Sequence, residues 1–399
     1  MTQFIAHAAH QVRWAIQVVF LARLAAPQRL VLVALMASLW APLVMARTLD
    51  QMEHRRWTAA DDGPGQVGAL AQTRDGYLWL GSNESLLRFD GVRFSPYQPA
   101  NGDELGIVSA LLATDTGLWV GLRKGGARLI RADGMDAYAP QPGLPGGVVY
   151  GFAEDQQGAI WLAAGDGLAR FDGQDWQQLS TRWGFPVGQA SAVFVARDGV
   201  VWAASENKLL YLPKGSQRFV DSGISAPSTS AIAEAEDGTI WLAHRYDGVL
   251  QRYDPRNGEL LRLPTGSDGV SGLLFDHRGA LWIATVGGGI RHLPRAVASQ
   301  LAGEPDLAGF GVRDGLSSGF IWPLLEDTEG NVWVGTSAGL DRFRPRAATP
   351  YRFRDTQPTS HWRPTPMAAC GLAPPTRTPC AFPAQGCTHS ICRRPSMLP

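Results

Sequence analysis

The sequence predicts an all-β fold, a seven-bladed β-propeller closed by an N-terminal strand, from three observations. Seven of the 14 tryptophans recur in one register, at intervals of 40, 42, 41, 39, 41 and 51 residues. A similar tight-turn motif precedes each of them, and the 46 glycines and 27 prolines of the 399-residue chain favour many turns. A period of about 40 residues with four short strands is typical of a propeller blade. The recurring residues, expected to be structural, are Trp79, Trp119, Trp161, Trp202, Trp241, Trp282 and Trp333.

The first repeat shows the content of one unit. Its predicted strands are residues 66–73, 77–81, 86–89 and 92–97. The turns Asp75-Gly76 and Asp90-Gly91 separate the strands within each pair, and their glycines supply the positive φ that tight turns require. Trp79 falls on the second strand, where a large ring fills the wedge between neighbouring blades and burial contributes about 2–3 kcal/mol.

The two ends of the repeat region predict how the ring closes. The seventh unit offers three strands and no clear fourth; these are residues 320–326, 332–335 and 340–343. Residues 55–58, ahead of the first unit, have the pattern of a fourth strand and are expected to complete the last blade, which removes free sheet edges. Residues 351–353 are the competing candidate. The 51-residue interval places an insertion, residues 294–308, between the third and fourth strands of blade six.

The N-terminal segment has the form of an export signal. Residues 30–45 are apolar, follow Arg23 and Arg29, and end in the small-residue site Val44-Met45-Ala46. This apolar core is shorter than the roughly 20 residues that a membrane-spanning helix needs. We expect residues 1–46 to be a signal peptide or an uncleaved signal anchor, and residues 47–345 to be a periplasmic propeller, either released or anchored to the inner membrane.

The C-terminal segment differs in composition. Residues 346–399 hold ten prolines and all four cysteines and show no alternation of apolar and polar positions, which predicts a disordered tail. Such a composition also fits a reading-frame shift, which would make this a truncated product. The cysteine spacing is unlike the paired C-x-x-C of zinc sites, so neither a metal site nor a cofactor is expected.

The charge balance excludes one class of partner. Lys and Arg together number 36, as do Asp and Glu, so the chain lacks the broad basic field that nucleic-acid binding requires. Any contact with a membrane is expected through the N-terminal segment alone.

The repeats resemble the two-component regulator propeller repeat, whose pattern is an apolar strand, Asp-x-x-Gly-x-x-Trp-x-Gly-Thr, and then Gly-Leu-x-Arg-Phe-Asp. The most similar copies are residues 70–94 and 324–343, and residues 167–172 match its second half. The resemblance implies a periplasmic, ligand-sensing region of a membrane receptor whose output module is a histidine kinase or a diguanylate cyclase. The sequence departs from the family pattern after seven repeats. No kinase or cyclase motif is recognisable, so transmitter activity is not expected in this chain, and dimerisation would depend on further C-terminal parts of such a receptor.

The ligand is expected on the face formed by the loops that precede each first strand and the loops that join second to third strands. These loops ring the mouth of the central channel in a propeller. Their sequences vary between repeats and suit a polar small molecule or oligosaccharide. The candidate ligand-binding residues are Glu84, Arg123, Lys124, Asp166, Asn207, Arg245, Tyr246 and Trp322.

Two other functions stay open. The turn aspartates are similar to the Asp-boxes of sialidases, but a glycosidase needs paired carboxylates aimed at the pore, whereas aspartates in turns commonly cap the backbone. A lyase needs a histidine without counterparts in other blades, as His244 and His292 are. A protein-interaction propeller is the third possibility. We predict binding without catalysis.

Overall fold

The computed structural model describes residues 49, 52–99, 105–266, 269–294 and 307–346. Within them the chain forms 28 β-strands, β1 to β28, and three short 3₁₀ helices, Ala59–Asp61, Thr181–Trp183 and Val312–Asp314. The strands form seven four-stranded antiparallel sheets, each of which is one blade. The prediction of a seven-bladed β-propeller is confirmed.

The strands of the first six blades follow one another along the chain. Blade one consists of β2 (Ala69–Gln72), β3 (Leu78–Gly81), β4 (Leu86–Phe89) and β5 (Phe94–Pro96). Blade two consists of β6 (Val108–Thr114), β7 (Gly117–Leu122), β8 (Ala127–Arg131) and β9 (Gly134–Tyr138). Blade three consists of β10 (Val149–Glu154), β11 (Ile160–Ala164), β12 (Gly167–Phe171) and β13 (Trp176–Gln178). Blade four consists of β14 (Ala190–Val195), β15 (Val201–Ser205), β16 (Lys208–Leu212) and β17 (Val220–Ser225). Blade five consists of β18 (Thr229–Glu234), β19 (Ile240–His244), β20 (Val249–Asp254) and β21 (Glu259–Pro264). Blade six consists of β22 (Val270–Phe275), β23 (Leu281–Thr285), β24 (Ile290–Leu293) and β25 (Ala308–Phe310). Blade seven combines β26 (Ile321–Glu326), β27 (Val332–Thr336) and β28 (Gly339–Pro345) with β1 (Met52–Thr58).

The N-terminal strand closes the ring, as the sequence predicted. β1 pairs with β28 from Met52 opposite Pro345 to Thr58 opposite Gly339. The strand begins three residues earlier than expected. Its Trp57 stacks on Trp333 with 5.5 Å between ring centroids, so the closing strand is attached to the blade core as well as to its edge. The alternative strand at residues 351–353, the signal at residues 1–46, the tail from residue 347 and residues 295–306 of the insertion lie outside the described residues.

The core is divided into clusters between adjacent blades. Each of the seven recurring tryptophans is at most 7% exposed. Trp119 of blade two packs with Ile160 and Leu162 of blade three, and Trp333 of blade seven packs with Leu80 of blade one. One large ring per interface therefore joins each blade to the next around the whole circle.

The turn aspartates act within their own hairpins. In blade three, Asp155 accepts hydrogen bonds from the backbone N–H groups of Gln157 and Ala159 at 3.0 and 2.9 Å, and from Trp161 Nε1 at 3.0 Å. Asp276 and Asp327 make the same set of contacts in blades six and seven. These carboxylates cap the turn and hold the buried indole, which is the local role expected of aspartates in turns.

Candidate ligand-binding site

The central channel opens into a cavity of about 780 Å³. Residues of the first strands and of the loops beside them, drawn from all seven blades, line it. The antiparallel order of each sheet places the blade-to-blade connections and the loops between second and third strands on this same face. A concave space of this size is in the range that small-molecule ligands occupy.

A β-bulge sets the residues that surround the cavity. In blade two, Val108 lies opposite Leu122 and Ala110 opposite Gly121, so Ser109 is an extra residue without a partner across the ladder. Blades three to seven have a register shift at the equivalent place. We call the residues at this position, together with the aligned glycine of blade one, the bulge ring: Gly68, Ser109, Tyr150, Ser191, Ser230, Ser271 and Trp322. All seven line the cavity. A bulge frees its side chain from the ladder, so this position can vary without loss of pairing.

Three serines of the bulge ring join adjacent blades. Ser109 donates to the carbonyl of Val149 at 2.8 Å, and Ser230 donates to the carbonyl of Val270 at 2.6 Å. Ser271 likewise donates at 2.5 Å to the carbonyl of Ile321, the first residue of β26 in blade seven. Ser191 has no hydrogen-bond partner among the described residues, so its hydroxyl is available to a ligand.

Two aromatic residues break the sequence of small side chains in the bulge ring. Tyr150 belongs to blade three and Trp322 to blade seven, which places them across the channel from one another. Tyr150 is 40% exposed, and Tyr246 at the rim is 76% exposed. Aromatic faces of this kind bind sugar rings, aromatic rings and other flat groups.

The charged residues of the lining lie at the rim. Arg123 follows the second strand of blade two, Glu206 that of blade four and Arg245 that of blade five. None of the three has an ion-pair partner among the described residues. Elsewhere in the propeller, Arg197 forms an ion pair with Glu234 and Arg252 forms one with Asp237, each with an N–O distance of 3.2 Å.

The sequence-based candidates divide into two groups. Arg123, Arg245, Tyr246 and Trp322 line the cavity. The remaining four lie in the expected loops but are not among the lining residues: Glu84, Lys124, Asp166 and Asn207. A contact between these four and a ligand stays a prediction.

Sequence reasoning missed most of the bulge ring, above all Tyr150 and Ser191. A signal for it exists in the spacing of the repeats. The bulge-ring residue lies 11 residues before the recurring tryptophan in six blades and 10 before it in blade two, as Tyr150 to Trp161 and Ser109 to Trp119 show. Alignment of the repeats on their tryptophans therefore puts six members of the ring in one column and Ser109 in the next one.

The two histidines considered for a lyase are not among the residues that line the cavity. His244 is buried on β19, where its Nδ1 lies 2.7 Å from the carbonyl oxygen of Pro227. His292 is buried on β24 against Trp282, with 4.8 Å between ring centroids, and burial lowers the pKa of its imidazole. In the described part of the chain, the lining holds one carboxylate, that of Glu206, and no histidine.

Neither a metal cluster nor a membrane span is found in the parts of the chain that the structure describes. No group of three or more His, Cys, Asp or Glu side chains there could hold a metal ion. The helices there are too short to cross a membrane.

A comparison with protein families identifies the repeat. Residues 315–338, which include β26 and β27, match the two component regulator propeller. One unit of the chain, residues 315–338, is therefore similar to the two-component regulator propeller repeat. The resemblance inferred from the sequence is confirmed, and the regulator repeat thus defined contains Trp322 of the bulge ring and the buried Trp333. The sequence matches none of the curated proteins.

Solved structures share the propeller fold. The extracellular domain of BT4673 from B. thetaiotaomicron, assigned to a hybrid two component system, is 21% identical with a TM-score of 0.62, and the match covers 74% of this chain and 40% of that one. The corresponding domain of BT3049 is 18% identical with a TM-score of 0.60, covering 74% and 42%. The chain thus spans less than half the length of these regulator-type domains. Virginiamycin B lyase from Staphylococcus aureus is 13% identical with a TM-score of 0.58, covering 73% and 99%.

Proposed function

We propose that this chain is the ligand-sensing propeller of a two-component or cyclic-di-GMP signal-transduction receptor, and that it acts in the periplasm. One observation carries the proposal: the cavity on the propeller axis is lined by the bulge ring, where side chains differ between blades that otherwise repeat. A binding site is the feature of a repeated framework that needs such variation. Polar rim groups, a free hydroxyl and aromatic faces suit a polar small molecule or an oligosaccharide.

The chemistry of the lining supports binding without catalysis. A glycosidase of the common kind places two carboxyl groups on either side of the bond it cleaves, and the described lining offers Glu206 alone. A histidine-to-alanine variant of the Staphylococcus aureus lyase is catalytically inactive, so that propeller depends on a histidine. The two histidines that lack counterparts in other blades of this chain are buried outside the cavity lining.

The periplasmic location is supported by two observations of different kinds. The N-terminal segment has the form of an export signal. The similar domains of BT4673 and BT3049 are extracellular and belong to signalling systems.

The proposal is tested by calorimetric titration of the purified chain with a panel of oligosaccharides and small polar metabolites. The variant Tyr150→Ala/Trp322→Ala should weaken the binding of any ligand found by about tenfold or more, because it removes both aromatic faces of the bulge ring. Phe320→Ala is the matched control. Phe320 is 51% exposed on the same face of the propeller but does not line the cavity.

Two results would contradict this proposal. Full affinity in the double variant would place the ligand outside the cavity. Conversion of the bound compound during prolonged incubation, followed by mass spectrometry, would show an enzyme instead of a sensor.

A further inference from the structure

Positive side chains outnumber negative ones among the residues that line the cavity. These charged residues are Arg123, Arg245 and Glu206, which leaves one net positive charge in the lining. Blade two and blade five supply the two arginines, so they approach the cavity from opposite sides of the ring. Walls of low dielectric around such a cavity strengthen the field of the rim charges inside it.

The two rim arginines form no ion pair among the described residues, whereas seven other arginines of the propeller do. Arg256 pairs with Asp254 at 2.8 Å, and Lys208, close to the rim, pairs with Asp221 at 2.9 Å. Arg245 is half-buried and Arg123 exposed, and neither has an ion-pair partner among the described residues. A half-buried guanidinium without a partner loses hydration that a carboxylate or sulfate would replace, in a geometry that its planar fork fits.

Aromatic surface lies next to this charge. Tyr246 directly follows Arg245 and is 76% exposed, and Tyr150 and Trp322 flank the channel below the rim. A ligand that uses both features carries an acidic group attached to a ring. The cavity of about 780 Å³ is a concave site for a small molecule, which favours such a compound over the flat acidic surface of a protein.

We infer that the ligand is a ring-bearing organic anion, whose carboxylate or sulfate is bound by Arg123 and Arg245 at the rim and whose ring enters the channel between Tyr150 and Trp322. This inference rests on the proposed function and names its ligand class. Glu206 on blade four adds specificity, because it repels a second acidic group on its side of the rim.

The test compares acids with their own neutral esters. Two pairs of compounds serve as probes, and each acid carries a single carboxylate: D-galacturonic acid with its methyl ester, for an acidic saccharide, and 4-hydroxybenzoate with its methyl ester, for an aromatic acid. Each is titrated calorimetrically into the full chain and into the variants Arg123→Gln and Arg245→Gln. Arg313→Gln is the matched control, since Arg313 is exposed on the connection into blade seven, on the same face, and does not line the cavity.

We expect at least one acid to bind more tightly than its ester by about tenfold or more, and each rim variant to lose about tenfold in affinity for that acid while its ester is unaffected. The control should bind as the unmodified chain does, and Arg245→Lys should recover part of the affinity. The pair in which the acid binds more tightly than its ester identifies the ligand as an acidic saccharide or as an aromatic acid.

Three outcomes would overturn the inference. These are equal binding of acid and ester, full affinity in both rim variants, and no binding of either acid at about 1 mM. If a neutral ester binds and the Tyr150→Ala/Trp322→Ala variant loses it, the anion inference fails and the proposed function stands. If no compound of either panel responds to any variant of the lining, both fail. Melting temperatures of all variants within about 2 °C of the unmodified chain show that each is folded.

Discussion

Closure of the ring depends on a buried carboxylate, and its removal gives a direct measure of that closure. Asp341 on β28 is fully buried and accepts a hydrogen bond from His54 Nε2 of the closing strand at 2.7 Å. It also accepts from the backbone N–H of Ser317 at 3.1 Å and from the Ser317 hydroxyl. One carboxylate therefore links the N-terminal strand, the third strand of blade seven and the connection into that blade.

The substitution Asp341→Asn keeps the volume of the side chain and removes its charge. The asparagine amide has one acceptor oxygen for three donors, which are His54 Nε2 and the N–H and hydroxyl groups of Ser317. Its NH₂ group would face at least one of these donors. Hydrogen bonds to a charged group contribute about 1.5–3 kcal/mol each and neutral ones about 1 kcal/mol, so we expect a loss of about 3 kcal/mol in the free energy of unfolding. For a domain of this size the melting temperature should fall by about 5 °C or more.

The assay combines thermal melting with a double-mutant cycle on His54→Ala and Asp341→Asn. Because the two side chains are in contact, their effects should be non-additive by about 1 kcal/mol or more. Asp133→Asn, an exposed aspartate in a hairpin of blade two, is the control and should change stability by at most about 0.5 kcal/mol. Additive effects in the cycle, or a melting temperature of Asp341→Asn equal to that of the control, would refute the assignment of closure to this contact.

Three further predictions concern the framework. Trp241→Ala should destabilise the propeller by about 3–5 kcal/mol in chemical denaturation, since the ring is fully buried between blades five and six. Asp327→Ala should cost about 2–3 kcal/mol, because Trp333 Nε1, now 2.7 Å from the carboxylate, loses its acceptor; indole fluorescence during unfolding reports it. The Asp254 carboxyl should titrate at a pKa of about 2 in NMR, held down by its hydrogen bonds from Arg256, and Arg256→Ala should raise this pKa toward 3.8. The stability that this pair contributes is present above the unfolded pKa and is lost as pH falls toward about 2.

The blade framework was predictable because its signals are local. A hairpin of about ten residues contains its own turn glycine, its capping aspartate and its buried tryptophan, as residues 155–161 show. The aspartate that holds the indole occurs in blades three, six and seven, and the departures from it are also local. Blade two has Thr114 where blade three has Asp155, its hairpin turn is shorter, and Trp119 Nε1 is buried without an acceptor in the described structure.

The rim residues were harder to predict because adjacent loop positions point in different directions. In three blades the sequence candidates Glu84, Lys124 and Asn207 each directly follow the residue that lines the cavity, which is Asn83, Arg123 or Glu206. Arg123 was also a candidate. A displacement of one residue changes which side chain faces the axis, and no local pattern in a short polar loop records the direction.

The bulge ring explains how a repeated fold can bind one ligand in one orientation. Seven identical side chains around a channel would offer seven equivalent binding modes. The serines of blades two, five and six use their hydroxyls to join adjacent blades, so they belong to the framework although they face the cavity. The asymmetry comes from Tyr150, Trp322 and the unpartnered Ser191, together with the absence of a side chain at Gly68. Because a bulge leaves this position outside the strand ladder in blades three, four and seven, Tyr150, Ser191 and Trp322 could diverge without loss of backbone pairing. The direction from Tyr150 to Trp322 would fix the axis along which the proposed ligand lies.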